Sequence, residues 1–392
     1  MQGRCGADTV KRLRVVPPGP GVFAALRDAL AGGDAILVSG SAGVTSTSDL
    51  PATVGQRVAL VVETSGSTGH PKRVELSADA LLANAAASES ALGGPGQWVL
   101  ALPTNYIAGL NVLARSLAAE TEPVTVEGEH FTAAGFVAAV RRLSLPDRYT
   151  ALVPAQLATL LDDPVSSKAL TGFAAVLVGG QATPRPLLDR ATASGIRVRR
   201  SYGSSETSGG CVYDGVPIGT TAVKVVDGEI WLGGPSLAEG YLGDPELTAE
   251  RFANEAGARW FRTADGGSFE NGVLTVIGRR DEVLISGGVK VALAAVERVL
   301  REQPGLGDAI VVAVPDERWG EVPVAVTAST DFDPDAATAA VATELGRPAR
   351  PARVLMVQAL PLLPSGKVDR LAVRTIALAG VDDGDPGVRP SR

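Results

Sequence analysis

Residues 63–72 read ETSGSTGHPK, which sets Thr64, Ser65, Gly66, Ser67, Thr68, Gly69 and Lys72 close together in the chain. Hydroxyls, backbone N–H groups that glycine leaves accessible and one ammonium group are the donors that wrap phosphate oxygens. A plain turn would use the glycine and proline but would not need the hydroxyls or the lysine. The spacing excludes a Walker A loop: its second glycine would fall on Pro71, and Lys72 is followed by Arg73 rather than Ser or Thr. A serine nucleophile is equally unsupported, with no G-x-S-x-G elbow and only His70 and His130 to act as base.

Four more segments carry chemistry-bearing residues. SYGSSETSGG (201–210) gathers hydroxyls around a single acid, Glu206. RTADGG (262–267) presents Asp265 beside glycines, GRRDEVLISGGVKV (278–291) is rich in charge and glycine, and LPSGKVDR (363–370) puts Lys367 on a Pro/Gly stretch. Lysine is scarce here, six residues against thirty arginines, yet Lys72, Lys290 and Lys367 all fall in these segments. Other chemistries are poorly supplied. Two cysteines and two histidines make a disulfide framework or a thiolate or imidazole metal site implausible. A net charge of −7 gives no basic footprint, so nucleic acid is not expected as a partner. No apolar run reaches the ~18 residues of a membrane span, and the N-terminus lacks a signal-peptide core, so a cytoplasmic location is expected.

The elements that must position these residues alternate. RVALVVE (57–63) and RVEL (73–76) read as strands, with Ser77 as N-cap of a helix whose first turn holds Asp79. QWVLALP (97–103) reads as a strand, and residues 107–119 and 131–143 as helices, followed by two more strand–helix pairs. Such alternation argues for an α/β domain of parallel sheets covered by helices. Beyond Pro217 the pattern becomes antiparallel hairpins with Gly and Asn-Gly turns. After Gly278 come a helix (292–303), strands (309–314, 322–328), a helix (334–345), a strand (353–357) and a helix from Asp369. The organisation expected is a large N-terminal domain over 1–279 with a β-rich subdomain at 217–278, then a small mobile α+β domain over 280–378. Residues 379–392, polar and rich in Gly and Pro, are expected to be a disordered tail.

In order and interval these five segments resemble the signature motifs of the adenylate-forming superfamily: acyl-CoA synthetases, peptide-synthetase adenylation domains and luciferases. The resemblance implies a carboxylate attacking the α-phosphate of ATP, then a thiol displacing AMP, with ATP and coenzyme A as co-substrates and Mg²⁺ as cofactor. It gives Lys367 the bridge between carboxylate and α-phosphate, Glu206 the Mg²⁺, and Ser205, where the family usually has Thr, a contact to the α-phosphate. Thr64, Ser65, Gly66, Ser67, Thr68, Gly69 and Lys72 would cradle the pyrophosphate. Gly179, Gly180 and Gln181 would line the adenine, Tyr202 would stack on it beside Gly203, and Asp265 and Arg279 would hold the ribose. Ala264 departs from the family's usual glycine. Asp281 matches the hinge, and Ser286, Gly287 and Gly288 match a loop lining the pantetheine tunnel. Leu293 and Ala295 depart from the Pro and Glu common after it.

The chain is shorter than typical members, and the missing length is expected at the N-terminus. LPTNYIAGLNVLARSL (102–117) and SSETSGGCVYDGVPIG (204–219) resemble the o-succinylbenzoate–CoA ligases of high-GC actinobacteria, which act in menaquinone synthesis. That resemblance implies an aromatic acid pocket from Tyr106, Gly109, Ser208 and Gly209. A histidine common in its aromatic gate is replaced by Asn105-Tyr106. The second carboxylate needs a cation, and Arg141, Arg142, Arg185 and Arg190 remain alternatives. Another aryl- or acyl-CoA ligase, a carrier-loading adenylation domain and a non-catalytic descendant of the fold stay open beside this reading, as does a homodimer.

Overall fold

A computed structural model describes residues 9–39, 50–64, 72–128, 130–363 and 366–382. Four sheets organise it. The first runs Gly240–Tyr241, Lys72–Ser77, Val58–Thr64, Ala35–Val38, Val10–Val16, Thr53–Gly55 in spatial order. The second runs Val216–Pro217, Gly209–Tyr213, Val198–Ser204, Ala175–Val178, Arg148–Leu152, Gln97–Leu100, Val124–Thr125. Alternation along a fully buried strand shows how the layers form. Ala175 and Leu177 of Ala175–Val178 face one core, shared with the first sheet and with helices Gly21–Leu30, Ala78–Leu92 and Ile107–Ala118. Val176 and Val178 face a second core under helices Ala133–Arg141, Pro154–Asp162 and Arg185–Ala193. A strand covered on both faces reads as an unbroken apolar run, which is why AVLV carries no polar residue.

Ser77 caps helix Ala78–Leu92 by accepting from Ala80 N at 3.3 Å, as its sequence position implies. Two expectations are corrected. The sheets are not purely parallel: Lys72–Ser77 returns antiparallel to Val58–Thr64, and Gly209–Tyr213 lies antiparallel to Val198–Ser204. The connection at 65–71 is shorter than the dozen or so residues a parallel crossover requires. The strand read over 97–103 ends at Leu100, before Pro103, where the chain turns into helix Ile107–Ala118.

The third sheet is antiparallel: Ala222–Val226, Glu229–Gly233, Ala258–Glu270 and Phe252–Glu255, with Val273–Arg279 paired to residues 265–270 of the long strand Ala258–Glu270. After residues 280–282 the chain enters the fourth sheet at Val283–Ser286 and, among the described residues, adds no further strand to the others. This sheet also holds Val289–Ala292, Gly320–Thr327, Ile310–Asp316 and the parallel strand Arg353–Met356. Helices Leu293–Arg301, Pro334–Leu345 and Arg370–Asp382 cover it with their own cores. The last helix runs four residues past 378, into the segment read as a disordered tail. Its continuation is anchored where Arg353 Nη1 donates to Gly380 O at 2.7 Å. Residues 383–392 lie outside the described part of the chain.

Candidate active site

The turn that carries the acid is built on backbone strain. Strand Val198–Ser204 ends in a 3₁₀ turn at Ser205–Thr207, where Thr207 Oγ1 accepts from Ser204 N at 3.0 Å. Ser208 follows in the left-handed region at φ 54°, and Gly209 at φ 100°. A Cβ on Gly209 would sit 1.9 Å from Asn111 Nδ2, so only glycine fits there. Asn111 in turn donates to Ser208 O at 2.7 Å and so fixes the turn to helix Ile107–Ala118. The turn presents Glu206, whose Oε1 accepts from Tyr241 Oη at 2.8 Å, while Ser205 is buried. Burial, the Glu206 charge and the hydrogen bond to Glu206 together push the Tyr241 phenol well above its usual range.

Glu206 opens onto a cleft of about 90 Å³ lined also by Lys72, Tyr202, Gly203, Tyr241, Arg251, Thr263, Asp265 and Arg279. A wider depression of about 550 Å³ around Glu75, Glu239 and Arg259 shares only Tyr241 with it and contains none of the other motif residues. On the cleft wall Tyr202 Oη donates to Asp265 Oδ2 at 2.7 Å. Burial pushes the Asp265 carboxyl upward against the Tyr202 hydrogen bond and the Arg279 charge, which pull it down. Asp265 and Arg279 face each other across neighbouring strands, with Arg279 Nε 3.9 Å from Asp265 Oδ1. The same guanidinium forks onto Asp281, with Nε to Oδ1 at 2.9 Å and Nη2 to Oδ2 at 2.6 Å, which holds that carboxyl below its usual range. Thr64 and Lys72 are paired across the strands that flank residues 65–71. Ser65, Gly66, Ser67, Thr68 and Gly69 lie outside the described residues.

Lys367 comes from the fourth-sheet unit to within electrostatic reach of Glu206, outside the lining of this cleft. Gly180, at φ 85°, is so close to it that a Cβ there would lie 3.3 Å from Lys367 Cε. Gln181 Oε1 accepts from Val368 N at 3.4 Å, and Gly179 donates to Leu152 O at 3.2 Å to end strand Ala175–Val178. Burial lowers the Lys367 ammonium's pKa, and the Glu206 charge partly restores it. Glu206, Tyr241 and Asp265 thus line one cleft from three separate stretches of sequence, with Lys367 from a fourth in reach of the Glu206 charge.

Helix Ile107–Ala118 begins right after Tyr106, and Gly109 packs against the Pro103 carbonyl. Of the four residues assigned to the acid pocket, Ser208 and Gly209 meet this helix at Asn111 and Ile107. Behind them the Cys211 thiol is buried and pushed up to about 12. None of the four arginines suggested for a second carboxylate is here. Arg142, Arg185 and Arg190 form surface pairs with Glu127, Asp189 and Asp162, and Arg141 is exposed. The sequence reading missed Arg115, buried one turn beyond Asn111. It stacks at 5.1 Å on Trp98, donates from Nη2 to Tyr213 Oη at 3.2 Å, and leaves Nε without an acceptor. The signal was an arginine four residues on from Asn111, on the buried face of a largely apolar helix. Ser286, Gly287 and Gly288 stand apart from the cleft: Ser286 is buried opposite Gly320, and Gly287 N donates to Trp319 O at 2.9 Å.

Residues 27–242 match the family described as AMP-binding enzyme, and 295–367 match the AMP-binding enzyme C-terminal domain. The chain belongs to the AMP-binding enzyme family. A probable 2-succinylbenzoate–CoA ligase of Mycobacterium tuberculosis is 45% identical over 325 residues, 81% of this chain and 84% of that protein. The 2-succinylbenzoate–CoA ligase of Salmonella typhimurium is 34% identical over 69% of this chain and 58% of its own length. Among solved structures, an E. coli MenE variant with bound OSB-AMS superposes with TM-score 0.70 at 28% identity, covering 91% of this chain and 80% of that one. The amide bond synthetase McbA from Marinactinospora thermotolerans gives TM-score 0.73 at 26% identity, covering 94% and 80%. These likenesses agree with the fold class read from the sequence, a large α/β domain followed by a smaller α+β one.

Proposed function

We propose that this AMP-binding enzyme is an ATP-dependent acid–CoA ligase that converts o-succinylbenzoate to o-succinylbenzoyl-CoA through an acyl-adenylate, in menaquinone biosynthesis. The observation that carries the chemistry is Lys367 packed on Gly180 within reach of the Glu206 charge, next to the cleft that Glu206 and Asp265 line. The substrate rests on the relative that is 45% identical over most of both chains.

In the first half-reaction two anions must meet, so alignment and charge neutralisation are the protein's task. Lys367 would bridge the entering carboxylate and an α-phosphate oxygen, with Ser205 beside them. Asp265 would accept the ribose hydroxyls, Tyr202 would stack on adenine along Gly179–Gln181, and Lys72 with residues 64–69 would hold the pyrophosphate. Among the described residues no three His, Cys, Asp or Glu groups cluster as a metal cage. Glu206 offers a hard oxygen ligand on the cleft and would hold Mg²⁺ there beside the nucleotide. When bound, Mg²⁺ would neutralise polyphosphate charge.

In the second half-reaction the small domain would turn about Asp281, withdraw Lys367 and bring Ser286–Gly288 and Trp319 to the cleft for coenzyme A. Arg115 is our candidate for the second carboxylate: a buried cation with no acidic partner described, one turn from the residue that fixes the acid pocket. Among the described residues no helix is long and apolar enough to cross a membrane. Incubation of the protein with ATP, Mg²⁺, coenzyme A and o-succinylbenzoate tests the reading by AMP release and thioester formation. Thioester made only on a carrier protein, or with another aryl acid in preference, would overturn it.

A further inference from the structure

Arg251 closes helix Pro245–Arg251 and lines the nucleotide cleft with Lys72, Glu206, Tyr241, Asp265 and Arg279. Its Nε is buried without a hydrogen-bond acceptor. Glu250 Oε1 is 3.2 Å away, but it is out of line for a hydrogen bond and belongs to a largely exposed side chain. A cation in the last turn of a helix is favoured by the helix dipole, but that preference is met by guanidinium groups in solvent. Here the side chain is only 21% exposed, and part of it is turned from water with nothing to donate to. Leaving a buried donor without an acceptor is costly, and a ligand oxygen would relieve that cost.

The surrounding charges say what kind of ligand. The other cations lining the cleft are Lys72 and Arg279, and Arg279 is forked onto Asp281; Lys367 lies outside the lining and feels Glu206. Arg251's own charge reaches the Tyr241 hydroxyl and the Asp281 carboxyl, so it stands between the metal-side pair Glu206–Tyr241 and the hinge. Resting on the adenylate-forming reading above, we propose that Arg251 is a phosphate-contacting residue that grips the β,γ end of the nucleotide as pyrophosphate departs. An oxygen of the acid's carboxylate forms a bond to the α-phosphorus. The bond from that phosphorus to the α,β-bridging oxygen breaks, and its electron pair stays on the leaving pyrophosphate. Charge grows on the leaving group during this step, which is where a planar, permanently charged fork acts best.

Calorimetric titration of the full chain with ATP·Mg²⁺ and, separately, with AMP tests the assignment without needing the acid. Arg251→Gln is expected to weaken ATP about tenfold and AMP less than about twofold, since the charge-assisted hydrogen bond to the β,γ-phosphates is lost only for ATP. Arg251→Lys keeps the charge without the fork and should fall between. Acid-dependent pyrophosphate–ATP exchange should show a raised KM for ATP, while thioester formation from preformed acyl-adenylate stays unchanged. Equal losses for ATP and AMP, or none for ATP, would overturn the proposal. If the glutamine variant fails to fold, the ATP-to-AMP ratio of Arg251→Lys decides. A wild-type protein that binds neither nucleotide would instead sink the adenylate-forming reading itself.

Discussion

Asp265 stands between opposing influences, and its protonation state should control nucleotide capture. Burial raises its pKa, with smaller upward pushes from Asp281 and Glu206, while Tyr202 and Arg279 lower it. To accept ribose hydroxyls it must be ionised, so kcat/KM for ATP should fall as pH drops through this raised value. Tyr202→Phe removes one downward influence, the hydrogen bond at 2.7 Å, and should move that acid limb to higher pH. An unchanged limb in the pH–rate profile would mean that Asp265 does not bind ribose as the charged form. Arg115 makes a second residue-scale case. A surface pair such as Arg142–Glu127 is worth about 0.2–1 kcal/mol and selects nothing, whereas a buried unpaired cation is costly unless an anion joins it. Arg115→Gln should raise KM for o-succinylbenzoate roughly ten- to hundredfold, the worth of a hydrogen bond to a charged group. An analogue lacking the ring carboxylate should show little change. Equal loss for both acids would make Arg115 a packing residue.

The elements show which features a sequence displays and which it hides. Helix Leu293–Arg301 was legible because its apolar residues Leu293, Val296, Val299 and Leu300 recur at helical spacing on the buried face. Hairpin Val283–Ser286/Val289–Ala292 was not read as strands, because it lies inside a charged, glycine-rich motif and leaves Val283, Ile285 and Val289 exposed. The site was legible as a gathering of motif residues: Glu206 and Asp265 line one cleft, with Lys367 in reach of the Glu206 charge. It was hidden where long-range packing decides: Arg115 and Arg251 matter because of burial and unmade hydrogen bonds, which no local pattern records. The hinge belongs to this scale too. Residues 280–282 are the only covalent route from Val273–Arg279 into the fourth sheet, so backbone rotation there would reorient the whole small unit. Asp281→Pro fixes φ near −65° and should spare pyrophosphate–ATP exchange while stopping thioester formation. Asp281→Ala loses the ion pair with Arg279 but keeps the rotation, and should retain both half-reactions. Loss of exchange in the proline variant would show that rotation at 281 is not confined to the second step.

At the scale of the whole molecule, the small unit delivers one buried ammonium to the large one, and the price of that delivery depends on pH. With the unit seated, Lys367 is desolvated and its pKa lies below the ordinary value of about 10.4 that it would have in water. Below the depressed pKa both arrangements carry the proton, so seating meets the full desolvation penalty. As pH rises through the window between the two values, the seated form sheds its proton first, and seating becomes progressively more favourable without nucleotide. ATP supplies phosphate oxygens as counter-charge to the ammonium, so the pH dependence should flatten when ATP is bound. Dyes on Val165→Cys of the large unit and Met356→Cys of the small one, both exposed positions, would report the distance by energy transfer in a Cys5→Ser background. Cys211 is buried, its thiol pushed up to about 12, and should stay unlabelled. Transfer should change with pH in the protein alone, far less with ATP, and not at all through this window in Lys367→Met. A slope that survives in Lys367→Met would assign the pH dependence to other groups and detach lid seating from the lysine's desolvation.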